Sequence, residues 1–393
     1  MTDELRSQLR EWRHHLHRRP EVGFEEHDTS DFIAETLDEL GIDVARGVGG
    51  TGVVGTLTRG DGVAPGRGRA IGLRADMDAL TLHEVGGREY GSTRDGVMHA
   101  CGHDGHMAML LGAAAVLATG GAFVGTVRFV FQPAEEHGRG AAAMLDDGLL
   151  ERFPMDAMYG LHNMPGIPAG HLHTRARAIM ASEDNFTITV HGRGGHASRP
   201  QAVIDPLLVA AEIVVALQSI VARSVDPLDT AVVSCTEIHG DGARNAIPST
   251  VVISGDTRSF AAEVEDLLGR RIREIAGGIC AAHGATCEVA YTNSFRPTIN
   301  DPGCADAAVA AAVAAVGAGR VDGGCAPVMA SEDFAAYAER IPACFVFIGN
   351  GVGTGRGGTP LHSRDYDFND DILDAGADFY VNLVHQQLGG GRL

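Results

Sequence analysis

The sequence contains no lysine: all 31 of its basic residues are arginines. That absence removes the Schiff-base lysine, the phosphate-loop lysine and the serine–lysine dyad as mechanisms. Positive charge is scarce overall. Against 51 acidic residues the formal net charge is −20, which argues against nucleic acid or an anionic membrane as a partner, since both call for a basic surface. No apolar stretch reaches the roughly 18 residues of a membrane-spanning helix, so none is expected. The opening MTDELRSQLREWRHHLHRRPE is charged and amphipathic and lacks the apolar core of a secretion signal. The seven cysteines (Cys101, Cys235, Cys280, Cys287, Cys304, Cys325 and Cys344) are odd in number, widely spaced and form no CxxC pair. They are expected as reduced thiols in a cytoplasmic protein.

What is present is the composition of a folded globular chain, 45% apolar and 21% charged. A length of 393 residues asks for more than one core. Helices are expected at 3–19, 28–40, 106–118 and 139–150. Strands are expected at 53–57, 70–76, 126–132 and 158–162. TVRFVFQ at 126–132 is a continuous apolar run of the kind buried on both faces. The runs VVGTL and AIGLRAD, separated by the Gly/Pro turn DGVAPGRGR, are expected as a hairpin or neighbouring strands. Strands alternating with helices imply an α/β fold, a central mixed sheet covered by helices.

The pattern changes near residue 181. An alternating strand at 185–192, a helix from about 206 to 224, two strands, a helix at 261–283 and the strand TCEVAY give the order β-α-β-β-α-β of a ferredoxin-like module. After residue 292 the Ala-rich helical pattern resumes, ending in a short helix at 332–339 and the strand ACFVFIGN. Three segments follow: 1–181 and 293–393 as one catalytic domain, and 182–292 as an inserted α+β lid.

Four clusters carry the chemistry. His99-Ala100-Cys101-Gly102-His103-Asp104-Gly105-His106 packs three histidines, a cysteine and an aspartate into eight residues. Cys101 and His103, two apart just before a helix, suit a turn that aims both side chains at one ion. Phe131-Gln132-Pro133-Ala134-Glu135-Glu136 ends a buried strand, where ligands of open α/β sheets gather. Of two adjacent carboxylates there, one can bind metal and the other serve as general base. Leu161-His162-Asn163 and Leu361-His362-Ser363 are weak alone, but separate loops at one sheet edge can feed a shared site. The candidate ligands are Cys101, His103, Glu136, His162 and His362. Their mix of sulfur, nitrogen and oxygen suits zinc, manganese or cobalt better than magnesium or calcium. Asp76 and Asp78 end another strand. Either can orient a histidine ligand from behind, and Asp78 is our candidate. In the inserted segment, His196 lies in the Gly-rich loop Gly192–Ser198, where it can meet a developing oxyanion. Asn245 and Arg258 lie at strand ends of the same module. Arginine is the natural partner of a substrate carboxylate, although an isolated arginine is ordinarily a surface salt bridge.

MHACGHDGHMAMLLGAA, FQPAEEHGRGA, GLHNMPGIPAG, GRGGHASRP, MASEDF and TPLHSRDYDFND together resemble the aminoacylase/hippurate hydrolase group of the di-zinc peptidase superfamily, from about His15 onward. Auxin-conjugate hydrolases and N-acetyl-diaminopimelate deacetylases share these motifs. The resemblance implies that Cys101, His103, Glu136, His162 and His362 bind two divalent ions and that Glu135 is the catalytic base. It implies a homodimer through the lid, with His196 reaching the partner's active site, and Asn245 and Arg258 facing the substrate. Glu332, in MASEDF, sits in a family motif near the site without an assigned role. The implied reaction is hydrolysis of the amide bond of a small N-acyl amino acid. Glu135 takes a proton from the attacking water and returns it to the leaving amine, and His196 faces the oxyanion. The rival readings are a dipeptidase or other exopeptidase on the same metal chemistry, and a non-catalytic metal-binding protein. Two departures stand out. Thr81 replaces the proline that commonly follows the MDAL segment, and Gln201 replaces the histidine many members carry after GGHAxxP.

Overall fold

The computed structural model describes residues 1–60, 69–120, 123–354 and 357–389. It divides into two compact units. The first comprises Met1–Ile179, Ile299–Ala326 and Asp333–Leu393, and the second Met180–Thr298 with Pro327–Glu332.

The first unit is built on an eight-stranded mixed sheet. Its spatial order is Asp43–Val48, Gly52–Arg59, Gly125–Gln132, Ala70–Asp76, Ala157–Pro165, Ala343–Gly351, Leu172–His173 and Val321–Asp322. The four central strands run parallel, and the edge pairs involving Gly52–Arg59 and Leu172–His173 include antiparallel neighbours. Every residue of Gly125–Gln132 and of Ala70–Asp76 is buried, as expected of central strands covered on both faces. The helix His103–Gly120 is buried over its first thirteen residues. It packs against the helices Asp3–Arg18 and Leu373–Leu388 and the Ala70–Asp76 strand. A helix this apolar all round has to sit inside a core. It also meets the requirement that His103, at its first position, be held rigidly.

Two expectations need correction. VVGTL and AIGLRAD are not neighbours. Gly125–Gln132 lies between them, antiparallel to the first and parallel to the second. The turn proposed at 61–69 lies outside the described residues except for Arg69. The helix expected at 139–150 is two helices, Gly140–Asp146 and Leu149–Arg152, broken where Gly148 enters the left-handed region at φ 78°. The strand Asp43–Val48 and the long helix Leu373–Leu388 were not anticipated at all.

The second unit carries a four-stranded antiparallel sheet in the order Ala231–Gly240, Thr250–Ser259, Glu183–His191, Thr286–Phe295. Residues of Thr250–Ser259 alternate between buried and half-buried, because one face packs on the helices Pro206–Leu217 and Ala262–Ala282. The chain order is strand, helix, two strands, helix, strand. Pro327–Glu332, which the sequence pattern assigns to the catalytic segment, belongs here by main-chain pairing: Ala181 N–H donates to the carbonyls of Val328 and Ala330.

One buried charge in the first unit has a consequence for stability. Glu26 is fully buried and accepts hydrogen bonds from the Thr51 hydroxyl (2.5 Å) and the Ala134 N–H (2.8 Å). Burial outweighs these bonds and pushes its carboxyl up to about 7. In the unfolded chain it titrates near its ordinary value of about 4.5. Between those values the folded state holds a proton that the unfolded state has lost. The contribution therefore favours folding at low pH and is lost as pH rises through about 7. Glu26→Gln should remove this slope. Across pH 4.5 to 7.5 the variant is expected to gain up to about 3 kcal/mol relative to the parent, read as a difference in melting temperature that widens with pH.

Candidate metal centre

The site forms where the parallel strands end. Asp76 closes its strand opposite Gln132 in register, so Asp78 and the Pro133–Glu136 turn emerge side by side. His162 and Asn163 lie near the end of the next strand, Ala157–Pro165. The ends of neighbouring parallel strands are where an open α/β sheet offers a crevice. Cys101 and Gly102 precede the helix that begins at His103. Gly102 has φ +91°, and a Cβ there would stand 2.3 Å from Asn163 Oδ1. Only glycine lets the chain turn this closely into the helix. His362 arrives from a distant loop, itself at φ 60°, with its N–H donating to the Ala100 carbonyl (2.9 Å).

These elements bring the five candidate ligands together. Cys101 Sγ lies 3.4 Å from His162 Nε2 and 3.4 Å from His362 Nε2. His362 Nε2 lies 3.4 Å from Glu136 Oε1, which is 3.9 Å from His103 Nε2. Two ligand atoms on one tetrahedral ion of this class stand about 3.3–3.8 Å apart; the three 3.4 Å spacings fall within that range and the His103–Glu136 spacing just beyond it. Cys101, Glu136 and His362 form one such group, and His103, Glu135 and Glu136 another that shares Glu136. His103 Nε2 and Glu136 Oε1 are buried and make no hydrogen bond among the described residues, an arrangement that costs free energy unless a cation satisfies both. The residues therefore fit a divalent metal.

The surroundings set which ring nitrogen faces the centre. The main-chain carbonyl of Asp78 accepts the Nδ1–H of His103 (2.9 Å), with Asp78 Oδ1 at ion-pair distance (3.3 Å), which leaves Nε2 facing the candidate metal site. Asp78 Oδ2 also accepts the N–H of Glu136 at 3.0 Å, so one carboxylate ties both loops. The His162 Nδ1–H donates to the Asn163 carbonyl (2.7 Å), turning Nε2 toward Cys101.

Electrostatics agree. Burial lowers the basicity of His103, but Asp76, Asp78 and Glu136 outweigh it and carry the ring up to about 10. Burial raises the Cys101 thiol well above its ordinary range, and Glu136, Glu135 and Asp76 add to the rise. His162 falls well below its ordinary range through burial and the neighbouring His106.

Sequence reading named Asp76 and Asp78 as alternative supports behind the candidate ligands but missed the network that Asp76 anchors. Asp76 Oδ1 binds His106 Nδ1 (2.6 Å), and His106 Nε2 meets Asn163 Oδ1 (2.7 Å). The Asn163 amide donates to the Tyr366 hydroxyl (2.6 Å). Arg74, fully buried, donates to Asp76 (2.7 Å) and to Gln132 (2.9 Å). His106 was legible in principle, since it stands three residues from His103 on the same helix and so shares its face.

The remaining candidates lie in the second unit. His196 is exposed, pairs with Ala246 in a two-residue ladder and accepts the Ser198 N–H at Nδ1 (3.1 Å). Its neutral form thus carries the proton on Nε2. The Asn245 carbonyl accepts from the Ala197 N–H. Arg258 already holds two carboxylates, Glu183 (2.8 Å) and Asp256 (2.8 Å). Glu332 is buried there, and its chain neighbour Asp333 belongs to the first unit, accepting from Arg74 and Gln132.

A crevice at the ends of parallel strands, lined by adjacent carboxylates, imidazoles and a cysteine, defines a metal-dependent hydrolase of the α/β type. Residues 72–386 match the model of peptidase family M20/M25/M40, and the chain belongs to that family. It is 38% identical to a hippurate hydrolase from Campylobacter jejuni over 98% of both chains. It is 37% identical to a thermostable carboxypeptidase from Saccharolobus solfataricus, over 95% of this chain and 94% of that one. The crystal structure of a dinuclear metal-binding peptidase from Bacillus subtilis superposes with a TM-score of 0.83 at 31% identity, covering 98% of each chain.

Because Cys101 and His103 both hold protons at neutral pH without a cation, metal binding must release protons. Apparent zinc affinity, measured by competition with a chromophoric chelator, is expected to rise steadily from pH 6 to 8. Cys101→Ala should bind more weakly and with a shallower pH slope. An affinity independent of pH would count against this ligand set.

Proposed function

We propose that the chain hydrolyses the amide bond of N-acyl amino acids, of acetyl or benzoyl type, at two divalent ions per subunit, zinc, manganese or cobalt. The observation that carries this reading is the buried face-to-face pair of His103 Nε2 and Glu136 Oε1, left without hydrogen bonds beside a further carboxylate, Glu135. In this reading Cys101, His103, Glu136, His162 and His362 hold the ions, and Asp78 orients His103. When bound, the ions supply Lewis acidity toward the acyl carbonyl and the water. Glu135 is buried and serves as the base: it takes the proton from the water and delivers it to the departing nitrogen. His196 carries its proton on Nε2, the form able to donate to an oxyanion. Among the described residues the Asn245 side chain makes no hydrogen bond, and it is the readier donor for the substrate carboxylate. Arg258 enters that role only alongside the two carboxylates it already holds. The second unit acts as a lid whose closure excludes water.

The similarity to the carboxypeptidase supports a second reading, removal of a C-terminal residue from short peptides by the same centre. Acetyl-, benzoyl- and aminoacyl-amino acids assayed side by side separate the two. The acylated substrates are expected to give the higher kcat/KM, and a clear preference for free-amine dipeptides would overturn the first reading. Glu135→Ala should keep its metal and lose about 100-fold or more in kcat. Full activity in that variant would show that the base is elsewhere.

The homodimer is proposed through the second unit. Leu207, Leu208 and Val215 are 50%, 53% and 74% exposed on the helix Pro206–Leu217. That helix packs against Ala231–Gly240, one of the two edge strands of the sheet. An open strand edge beside an apolar helix face is a self-complementary surface of the kind two-fold dimers use. Light scattering is expected to give twice the chain mass, and Val215→Asp to give the monomer. A wild-type monomer at micromolar concentration would overturn the proposal. A cytoplasmic location is proposed on the seven free thiols. Among the described residues no helix is long and apolar enough to cross a membrane.

A further inference from the structure

We infer that Glu26 is a positioning residue for the catalytic turn. Through its bond to the Ala134 N–H it holds the backbone conformation that presents Glu135. The inference rests on the reading of Glu135 as the base.

Ala134 lies immediately before Glu135 and has φ +50°. A residue with a Cβ is strained in the left-handed region, so neighbouring contacts must hold it there. Three main-chain groups of the turn are fixed from outside or across it. The Ala134 carbonyl accepts from the Gly140 N–H (3.1 Å), the Glu135 carbonyl accepts from the Gly138 N–H (2.7 Å), and the Glu136 N–H donates to Asp78 (3.0 Å). The Ala134 N–H is the fourth, and its partner is the Glu26 carboxylate at 2.8 Å. The segment carrying Glu26 closes down on the turn. A Cβ on Gly23 would stand 2.9 Å from the Ala134 Cα.

Glu26 is an unusual choice for this contact. It is fully buried, and no cation of the described residues lies within ion-pair distance. A buried carboxylate without a counter-ion is costly. It is also the N-cap residue of the helix His27–Glu39 but makes no side-chain cap bond. Glu21 does that instead, accepting from Thr29 N–H (2.8 Å) and Asp28 N–H (3.3 Å). Glu26 is thereby free to turn away from its own helix, and the Thr51 hydroxyl fixes its second oxygen. Every feature of its placement serves one hydrogen bond, to the residue before the base. Among the described residues it makes no hydrogen bond or ion pair to a candidate ligand.

The test compares Glu26→Ala, Glu26→Gln and Glu135→Gln in the full-length, metal-loaded enzyme. For each, kcat, KM, bound metal, melting temperature and amide hydrogen exchange over residues 133–138 are measured. Glutamine keeps an oxygen for the Ala134 N–H, and its amide can donate to Thr51. Glu26→Gln should therefore stay within about threefold of the parent in kcat. Glu26→Ala should lose ~10- to 100-fold in kcat, the scale of a displaced catalytic group. Its KM and metal content should stay within about twofold, and exchange across the turn should accelerate. Adding Ala134→Gly to Glu26→Ala should recover much of the lost kcat, because glycine adopts this φ without strain. A Glu26→Ala enzyme with parental kcat overturns the proposal, as does equal loss in the alanine and glutamine variants. If Glu26→Ala does not fold, Glu26→Asp decides. One methylene shorter, it cannot reach both Ala134 and Thr51, and a parental kcat there overturns the proposal. The underlying reading fails separately, by Glu135→Gln retaining its turnover whatever the Glu26 variants do.

Discussion

His103 Nε2 and Glu136 Oε1 face one another across 3.9 Å in the interior, each without a hydrogen bond. Buried polar atoms left in this state destabilise a fold by a few kcal/mol each unless something satisfies them. Much of the first unit is arranged around that pair. The wholly buried helix that starts at His103 fixes one side, and the turn at the end of the Gly125–Gln132 strand fixes the other. Asp78 joins the two by holding the His103 ring and the Glu136 main chain at once. A divalent cation bound here would satisfy both atoms at once. This is why binding of metal and integrity of the site are the same physical question.

The charges behind the ligands follow from the same constraint. Asp76 is completely buried and is held ionised by His103, His106 and Arg74 against the cost of its burial. Arg74 in turn is satisfied by Asp76 and Gln132, both from strand ends of the same sheet. His106 passes the chain of contacts to Asn163 and Tyr366. A network this deeply buried is stable only when each member has its partner, and it backs the candidate ligands. On the opposite flank Glu26 performs the equivalent task for the Ala134 turn with a single hydrogen bond.

How much of this was legible in the sequence varied with the kind of signal. The cluster His99–His106 and the pair Glu135-Glu136 were visible because several chemistry-bearing residues fall within a few positions. The continuous apolar run of Gly125–Gln132 marked a central strand, and the β-α-β-β-α-β order of the second unit was readable from alternation and helix period. Strand adjacency was not. Nothing local in VVGTL or AIGLRAD records that a strand from 50 residues further along the chain lies between them. The helix Leu373–Leu388 escaped notice because its apolar stripe follows a polar loop and carries aspartates at Asp374 and Asp378. The attachment of Pro327–Glu332 to the second unit rests on main-chain hydrogen bonds, which leave no mark on side-chain pattern. Gly102, Ala134 and His362 take left-handed conformations that only their surroundings explain.

The sequence by itself determined which atoms are available: a lysine-free, acidic chain with a thiol, three imidazoles and two adjacent carboxylates, all but His362 beside a strand end or a helix start. Those properties are local, set by residue type and by the period of the hydrophobic pattern. Only the tertiary structure decided that Cys101 meets a histidine 261 positions later, and that Asp78 rather than Asp76 holds His103 through its own main chain. It also decided that a glutamate at position 26 governs a turn at position 134. Such pairings arise from packing of elements distant along the chain, and the free energy that selects them belongs to the closed interior.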